Sequence, residues 1–180
     1  MLAIGLGQGL YQTSGYPNSP DKIGDPKYYA ASGPMIGGGF SLFIMGALTD
    51  VINFGFWFGG TTAENDHWRS TGGGGGFRVD AFPFALSKHD YKHVPLKDLG
   101  VFGQFGVGNV KMEAKHGKSP GAEGAESWIS TGVFLDLNVT RMLGGHLALG
   151  PQIAYEVINS TAAERHGGAF AVRIAFYGGP

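Results

Sequence analysis

Residues 128–140 read Trp128-Ile-Ser-Thr-Gly-Val-Phe-Leu-Asp-Leu-Asn-Val-Thr140, and their alternation decides the fold. Ile129, Thr131, Val133, Leu135, Leu137 and Val139 share one face of an extended chain; Ser130, Gly132, Phe134, Asp136 and Asn138 share the other. A period of two residues marks a β-strand with two unlike faces. The pattern returns at His146–Ile158, where Leu147, Leu149, Ile153, Tyr155 and Val157 oppose Ala148, Gly150, Gln152, Ala154 and Glu156. It returns again where Phe170, Val172, Ile174 and Phe176 oppose Ala171, Arg173, Ala175 and Tyr177. Toward the N-terminus, Leu2–Gln12, Met35–Leu48, Asn53–Gly60, Gly75–Phe84 and Gly100–Lys111 complete a set of eight strands, with no amphipathic helix between them.

The links alternate in length. Thr49–Ile52 and Arg141–Gly145 are tight, and Ala85–Leu99 is of middling length. Thr13–Pro34, Thr61–Gly74, Glu113–Glu126 and Asn159–Gly168 are longer and fall at the opposite end. Most charges sit in these links. Within the strand segments only Arg78, Asp80, Lys111, Asp136, Glu156 and Arg173 are charged. Residues 1–180 read as one domain, with no linker between parts.

Composition narrows the class further. Glycine supplies 33 of 180 residues, more than twice the usual share of about 7%. It has no three-residue period, and 43% hydrophobic residues are too many for a disordered tail. Cysteine is absent, which removes disulfides and thiolate chemistry. With 13 Lys+Arg against 14 Asp+Glu, the net charge of −1 lacks the basic excess of a nucleic-acid binder. The N-terminus has no basic stretch followed by an apolar core, so an exported chain would have had its leader removed. No apolar run nears the roughly 18 residues of a membrane helix, but a membrane strand needs only about 9–11.

Alternation alone does not say which face points inward. A soluble barrel keeps its apolar face inside, and a membrane barrel turns it outward. The second face decides. It carries Gly55, Gly59, Gly106, Gly108, Gly132, Gly150, Ala148, Ala154, Ala171 and Ala175, broken by Trp57 and Phe134. Such a face makes a poor solvent surface, which needs charged side chains. It suits the lumen of a narrow barrel that side chains must just fill. The expected fold is therefore all-β, an eight-stranded antiparallel up-and-down transmembrane barrel with long loops at one end. A soluble lipocalin-like ligand-binding barrel is the contrasting reading. Tyr11, Trp128 and Tyr155 at one end, and Phe82, Phe84, Phe176 and Tyr177 at the other, are expected to form aromatic girdles at the membrane surfaces.

In strand count, loop asymmetry and aromatic-rich last strand, the whole chain resembles the small eight-stranded outer-membrane barrels of Gram-negative bacteria, the OmpA, OmpX and OmpW type. Ala169-Phe-Ala-Val-Arg-Ile-Ala-Phe-Tyr177 looks like the C-terminal signal read by the outer-membrane assembly machinery, although Gly178-Gly179-Pro180 follows it. The resemblance implies residence in the bacterial outer membrane, contact with membrane lipid and lipopolysaccharide, and a porin-like or scaffolding role in the cell envelope. That role would be adhesion, envelope integrity or binding of a protein partner through the long loops. The alternative is a narrow channel or small-solute conduit of the OmpW kind.

The inward polar residues are the chief candidates for a site. Arg78, Asp80, Gln104, Asp136, Gln152, Glu156 and Arg173 are expected to meet in the lumen, because buried guanidiniums and carboxylates must pair. Such a network would plug the barrel. No catalytic or cofactor site is expected. Deacylases of similar architecture use a His-x-Ser pair, whereas His146-Leu147-Ala148 lacks the serine. Gly5-Leu-Gly7-Gln-Gly9 is followed by no helix and so forms no dinucleotide loop. Gly72–Gly76 lacks the Lys-Ser/Thr of a phosphate loop and reads as a flexible strand start. His89 and His93 fall in a link before Val94-Pro95, which argues against a metal pair.

Overall fold

A computed structural model describes residues 1–86, 96–116 and 120–178. The long strands are β1 (Leu2–Gly15), β3 (Met35–Thr49), β4 (Ile52–Glu64), β5 (Trp68–Ala81), β6 (Leu99–Ala114), β7 (Ala122–Leu135), β9 (Gly145–Asn159) and β10 (Ala163–Gly178). Two short ones join them, β2 (Ala30–Ala31) and β8 (Leu137–Met142). All pairings are antiparallel between chain neighbours, and β10 returns to β1 with Leu2 opposite Phe176 and Gly15 opposite Ala163. β7 and β8 both pair with β9 and make one wall strand, interrupted at Asp136. There the Asp136 N–H donates to the Asp98 carbonyl at 3.0 Å. The result is a closed eight-stranded up-and-down barrel.

Several strands run further than their sequence implies. β5 starts at Trp68, so Thr61–Gly74 is strand on both sides of a tight link at Asn65–His67. β10 starts at Ala163, and Ser160–Ala162 alone joins it to β9. β5 ends at Ala81, leaving Phe82 and Phe84 beyond it. The glycine run 72–76 thus lies within a strand, and packing explains it. A Cβ on Gly74 would stand 2.8 Å from Trp128 Cε3, and one on Gly108 would stand 2.7 Å from the same atom. These glycines leave room for the Trp128 ring, which meets Trp57 edge-on at 4.9 Å.

Both chain ends and the tight turns at Asp50–Val51 and Leu143–Gly144 lie at one mouth. Outer-membrane barrels keep short turns on the periplasmic side. The link Tyr16–Pro34 stands at the other mouth and is tied down there. Tyr16 N–H donates to the Ala162 carbonyl at 2.7 Å, Glu123 N–H to the Tyr16 carbonyl at 3.0 Å, and Asn65 Nδ2 to the Ser32 carbonyl at 2.8 Å. His89 and His93 lie outside the described residues, as do Lys118 in the β6–β7 link, Gly179 and Pro180.

The two faces separate cleanly. Outward side chains such as Leu6, Ile36, Phe40, Phe105, Val107, Ile129, Ile153 and Phe170 are exposed all around the wall. Inward Trp57, Phe43, Phe134, Arg78, Asp80 and Arg173 are almost wholly buried. Covering each large outward side chain with lipid is worth about 1.5–3 kcal/mol. A soluble ligand-binding barrel is thereby overturned, because its apolar face would have to point inward.

Candidate functional site

Strand alternation places Arg78 and Asp80 two residues apart on β5, so both side chains enter the lumen. Arg78 Nε donates to Asp80 Oδ1 at 2.6 Å. Arg173 reaches across from β10, and its Nη2 donates to Asp80 Oδ2 at 2.9 Å. Its Nε stands 3.2 Å from Asp136 Oδ1, and the Tyr177 hydroxyl donates to Asp136 Oδ2. Arg78 Nη1 and Nη2 donate to Gln104 Oε1 and Gln152 Oε1, each at 3.3 Å. Arg78, Asp80 and Arg173 are fully buried, and Asp136 is 4% exposed.

Aromatic faces lie against both guanidiniums. The Arg78 guanidinium lies 3.8 Å from the Phe102 ring centre and 4.2 Å from that of Phe43; Arg173 lies 4.0 Å from that of Phe134. Such stacking suits a planar, weakly hydrated guanidinium. Four charges of balanced sign, two glutamines, a tyrosine and three rings therefore form one layer across the barrel.

Glu156 does not join this layer, contrary to the sequence expectation. It lies toward the other mouth, near Arg165 and Trp128. Arg165 is fully buried with its guanidinium 4.3 Å from the Tyr11 ring centre. None of its three side-chain nitrogens finds a hydrogen-bond partner among the described residues. The sequence reading missed Arg165 by assigning Asn159–Gly168 to a loop. Its parity with Arg173, counted back along β10, is the signal that places it inward. Between the two levels lies a chamber of about 50 Å³ lined by glycines together with Ser41, Ser130, Gln104, Gln152 and Glu156.

The expected girdles also need correcting. Tyr11 and Trp128 are each 2% exposed and point into the lumen. Parity explains both: Tyr11 falls in step with Ala3 and Gly5, and Trp128 with Ser130 and Phe134. Tyr177 turns inward to Asp136, and Phe82 tucks its ring edge-on against Phe134 at 5.4 Å. Tyr155 is exposed on the outer wall, Phe176 is half-buried there in step with Val172 and Ile174, and Phe84 is exposed beyond β5. His146 stacks flat on Tyr177 at 4.9 Å, and Ala148 two residues on is fully buried.

No family model matches the chain, and no curated protein does. Solved structures do. Neisserial surface protein A (NspA) superposes with a TM-score of 0.54 at 10% identity, over 96% of each chain. Ail, the attachment invasion locus protein of Yersinia pestis, was crystallised with the heparin analogue sucrose octasulfate. It superposes with a TM-score of 0.51 at 9% identity, over 96% of this chain and 97% of its own. Identities this low speak for the fold. Closed topology, outward apolar belt and these neighbours define a small eight-stranded transmembrane β-barrel of the outer-membrane type.

Proposed function

We propose that the protein is a membrane-anchored scaffold of the bacterial outer membrane, non-catalytic, with its lumen occluded and its long rim loop presented to a partner. The buried Arg78–Asp80–Arg173–Asp136 layer carries this reading, because it spends the barrel interior on pairing and packing rather than on a water path. The rim supplies the contact surface. Tyr29 is half exposed there and meets Tyr16 edge-on at 5.3 Å, while Lys22 and Lys27 stand 5.5 and 5.6 Å from the Tyr28 ring centre. Rigidly presented loops are where such scaffolds carry recognition. Lipopolysaccharide and lipid would surround the belt, and the aromatic last strand would engage the assembly machinery.

Planar-bilayer recording tests the occluded lumen. The unmodified protein is expected to be silent, and the double variant Arg78→Ala, Arg173→Ala to pass current. Large stable openings in the unmodified protein would overturn the reading in favour of a narrow conduit. The small chamber above the charged layer is the one observation that favours that second reading.

A further inference from the structure

Above the charged layer the lumen holds a second pair of opposite charges, and these two do not meet. Arg165 enters from β10 and is fully buried, yet its Nε, Nη1 and Nη2 have no hydrogen-bond partner among the described residues. Glu156 enters from β9, is 7% exposed, and its Oε1 is equally without a partner there. The two stand near each other but form no ion pair among the described residues. Trp128 Nε1 and Thr61 Oγ1 are two further buried polar atoms without partners in this half of the lumen.

These groups border open space. Glu156, Thr61 and Tyr11 line the chamber of about 50 Å³, with Ser130, Gln104 and Gln152. The two glutamines turn their oxygens away to Arg78 in the layer below. Arg165 crosses the lumen beside the chamber. Its guanidinium lies 4.3 Å from the Tyr11 ring centre, and a Cβ on Gly72, on the opposite wall, would stand 2.8 Å from its Nη1. Gly72 is the register partner of Thr61, so the guanidinium ends on the Thr61 side of the chamber. No hydrogen bond to a described residue fixes it there.

The lower layer shows how this barrel treats charges that hold it together: Arg78, Asp80, Arg173 and Asp136 meet at 2.6–3.2 Å. A buried guanidinium and carboxylate kept apart beside a polar chamber need an occupant with the opposite charge at each end. We propose that the chamber binds a small zwitterion, an α-amino acid of glycine's size. Arg165, Trp128 Nε1 and Thr61 Oγ1 donate to its carboxylate, and Glu156 accepts from its ammonium. A lone anion would oppose Glu156, and a lone cation would oppose Arg165. At roughly 10–15 Å³ for each water-sized group, the chamber takes about three to five of them, which suits the smallest amino acid. The site goes beyond the scaffold reading and stands whether or not the lumen conducts.

The test is a titration of the full chain, folded in detergent micelles, read from the Trp128 indole N–H signal by NMR. The probes are glycine, acetate and methylammonium. A saturable shift with glycine alone is expected, because acetate lacks the ammonium and methylammonium lacks the carboxylate. Glu156→Gln and Arg165→Met remove groups that hold no described residue by a hydrogen bond, so both variants are expected to fold. Each is expected to weaken glycine binding about tenfold, the loss of one charge-assisted contact. Should Arg165→Met misfold, the near-isosteric Glu156→Gln decides alone. The absence of a saturable glycine shift overturns the proposal and leaves the chamber to water. So does a comparable response to acetate or methylammonium, or unchanged glycine affinity in Glu156→Gln.

Discussion

Asp80 accepts Arg78 on one carboxylate oxygen and Arg173 on the other, so one carboxylate serves two buried guanidiniums. Removing one partner of a buried charge pair costs about 3–5 kcal/mol, because the charge left behind has no counterpart and no water. Asp80→Ala is therefore expected to lower the unfolding free energy by that amount in lipid vesicles, measured by denaturant titration. Gln104 meets Arg78 through a longer contact of 3.3 Å to a neutral oxygen. Gln104→Ala should cost about 1 kcal/mol in the same assay. Equal losses for the two variants would show that Asp80 does not organise the layer.

The β8–β9 hairpin turns on Leu143 at φ 51° and Gly144 at φ 73°. Two positive φ values in succession are the geometry of a tight hairpin turn whose twist matches its strands. Glycine accepts it freely, but a leucine is strained there by about 1–2 kcal/mol. Leu143 is 88% exposed, so little packing is lost on replacement. Leu143→Asn is expected to stabilise the barrel by about 1 kcal/mol, read from the denaturation midpoint, and a loss of stability would contradict the strain. In the rim loop, Ser19 Oγ donates to Asp21 and holds its carboxyl below the ordinary aspartate range. A depressed folded value means the contact stabilises the loop above the ordinary range and is lost as pH falls through the lower one. An NMR titration should find the Asp21 midpoint displaced downward and restored by Ser19→Ala.

These elements differ in how far their sequence announces them. The wall strands were legible because Ile129 to Val139, Leu147 to Val157 and Phe170 to Phe176 alternate without a break. The lumenal charges Arg78, Asp80, Asp136 and Arg173 were legible for the same reason, since parity and the need to pair buried charge placed them together. Gly72–Gly76 hid a strand, because a side chain's absence leaves no alternation to read, and the neighbours that crowd these positions, Arg165 at Gly72, Trp128 at Gly74 and Phe58 at Gly75, lie on other strands. Arg165 was hidden by its polar neighbours Glu164 and His166. Tyr11 and Trp128 were misplaced where an expectation about aromatic belts outweighed the parity of their own strands.

Across the whole barrel, the outward belt makes lipid a structural partner. Leu6 sits midway along the apolar run of β1, between Val172 on β10 and Phe40 on β3. Leu6→Arg is expected to cost about 2–4 kcal/mol in bilayers, the figure for a basic residue at mid-depth on a barrel's lipid face. Vesicle-based unfolding checks it, and a neutral result would place Leu6 near a membrane surface instead.

The pairing of Leu2–Gly15 with Ala163–Gly178 has a consequence for how the molecule comes into being. It is a seam between the first strand of the barrel and the last. Until β10 is in place the wall is an open curl with two raw backbone edges, which hydrocarbon cannot satisfy. Closure of so distant a seam is the slowest kind of contact for a chain to find. Insertion and completion are thus tied to one event. The charged layer is assembled by the same event, because Arg173 arrives on the strand that closes the wall.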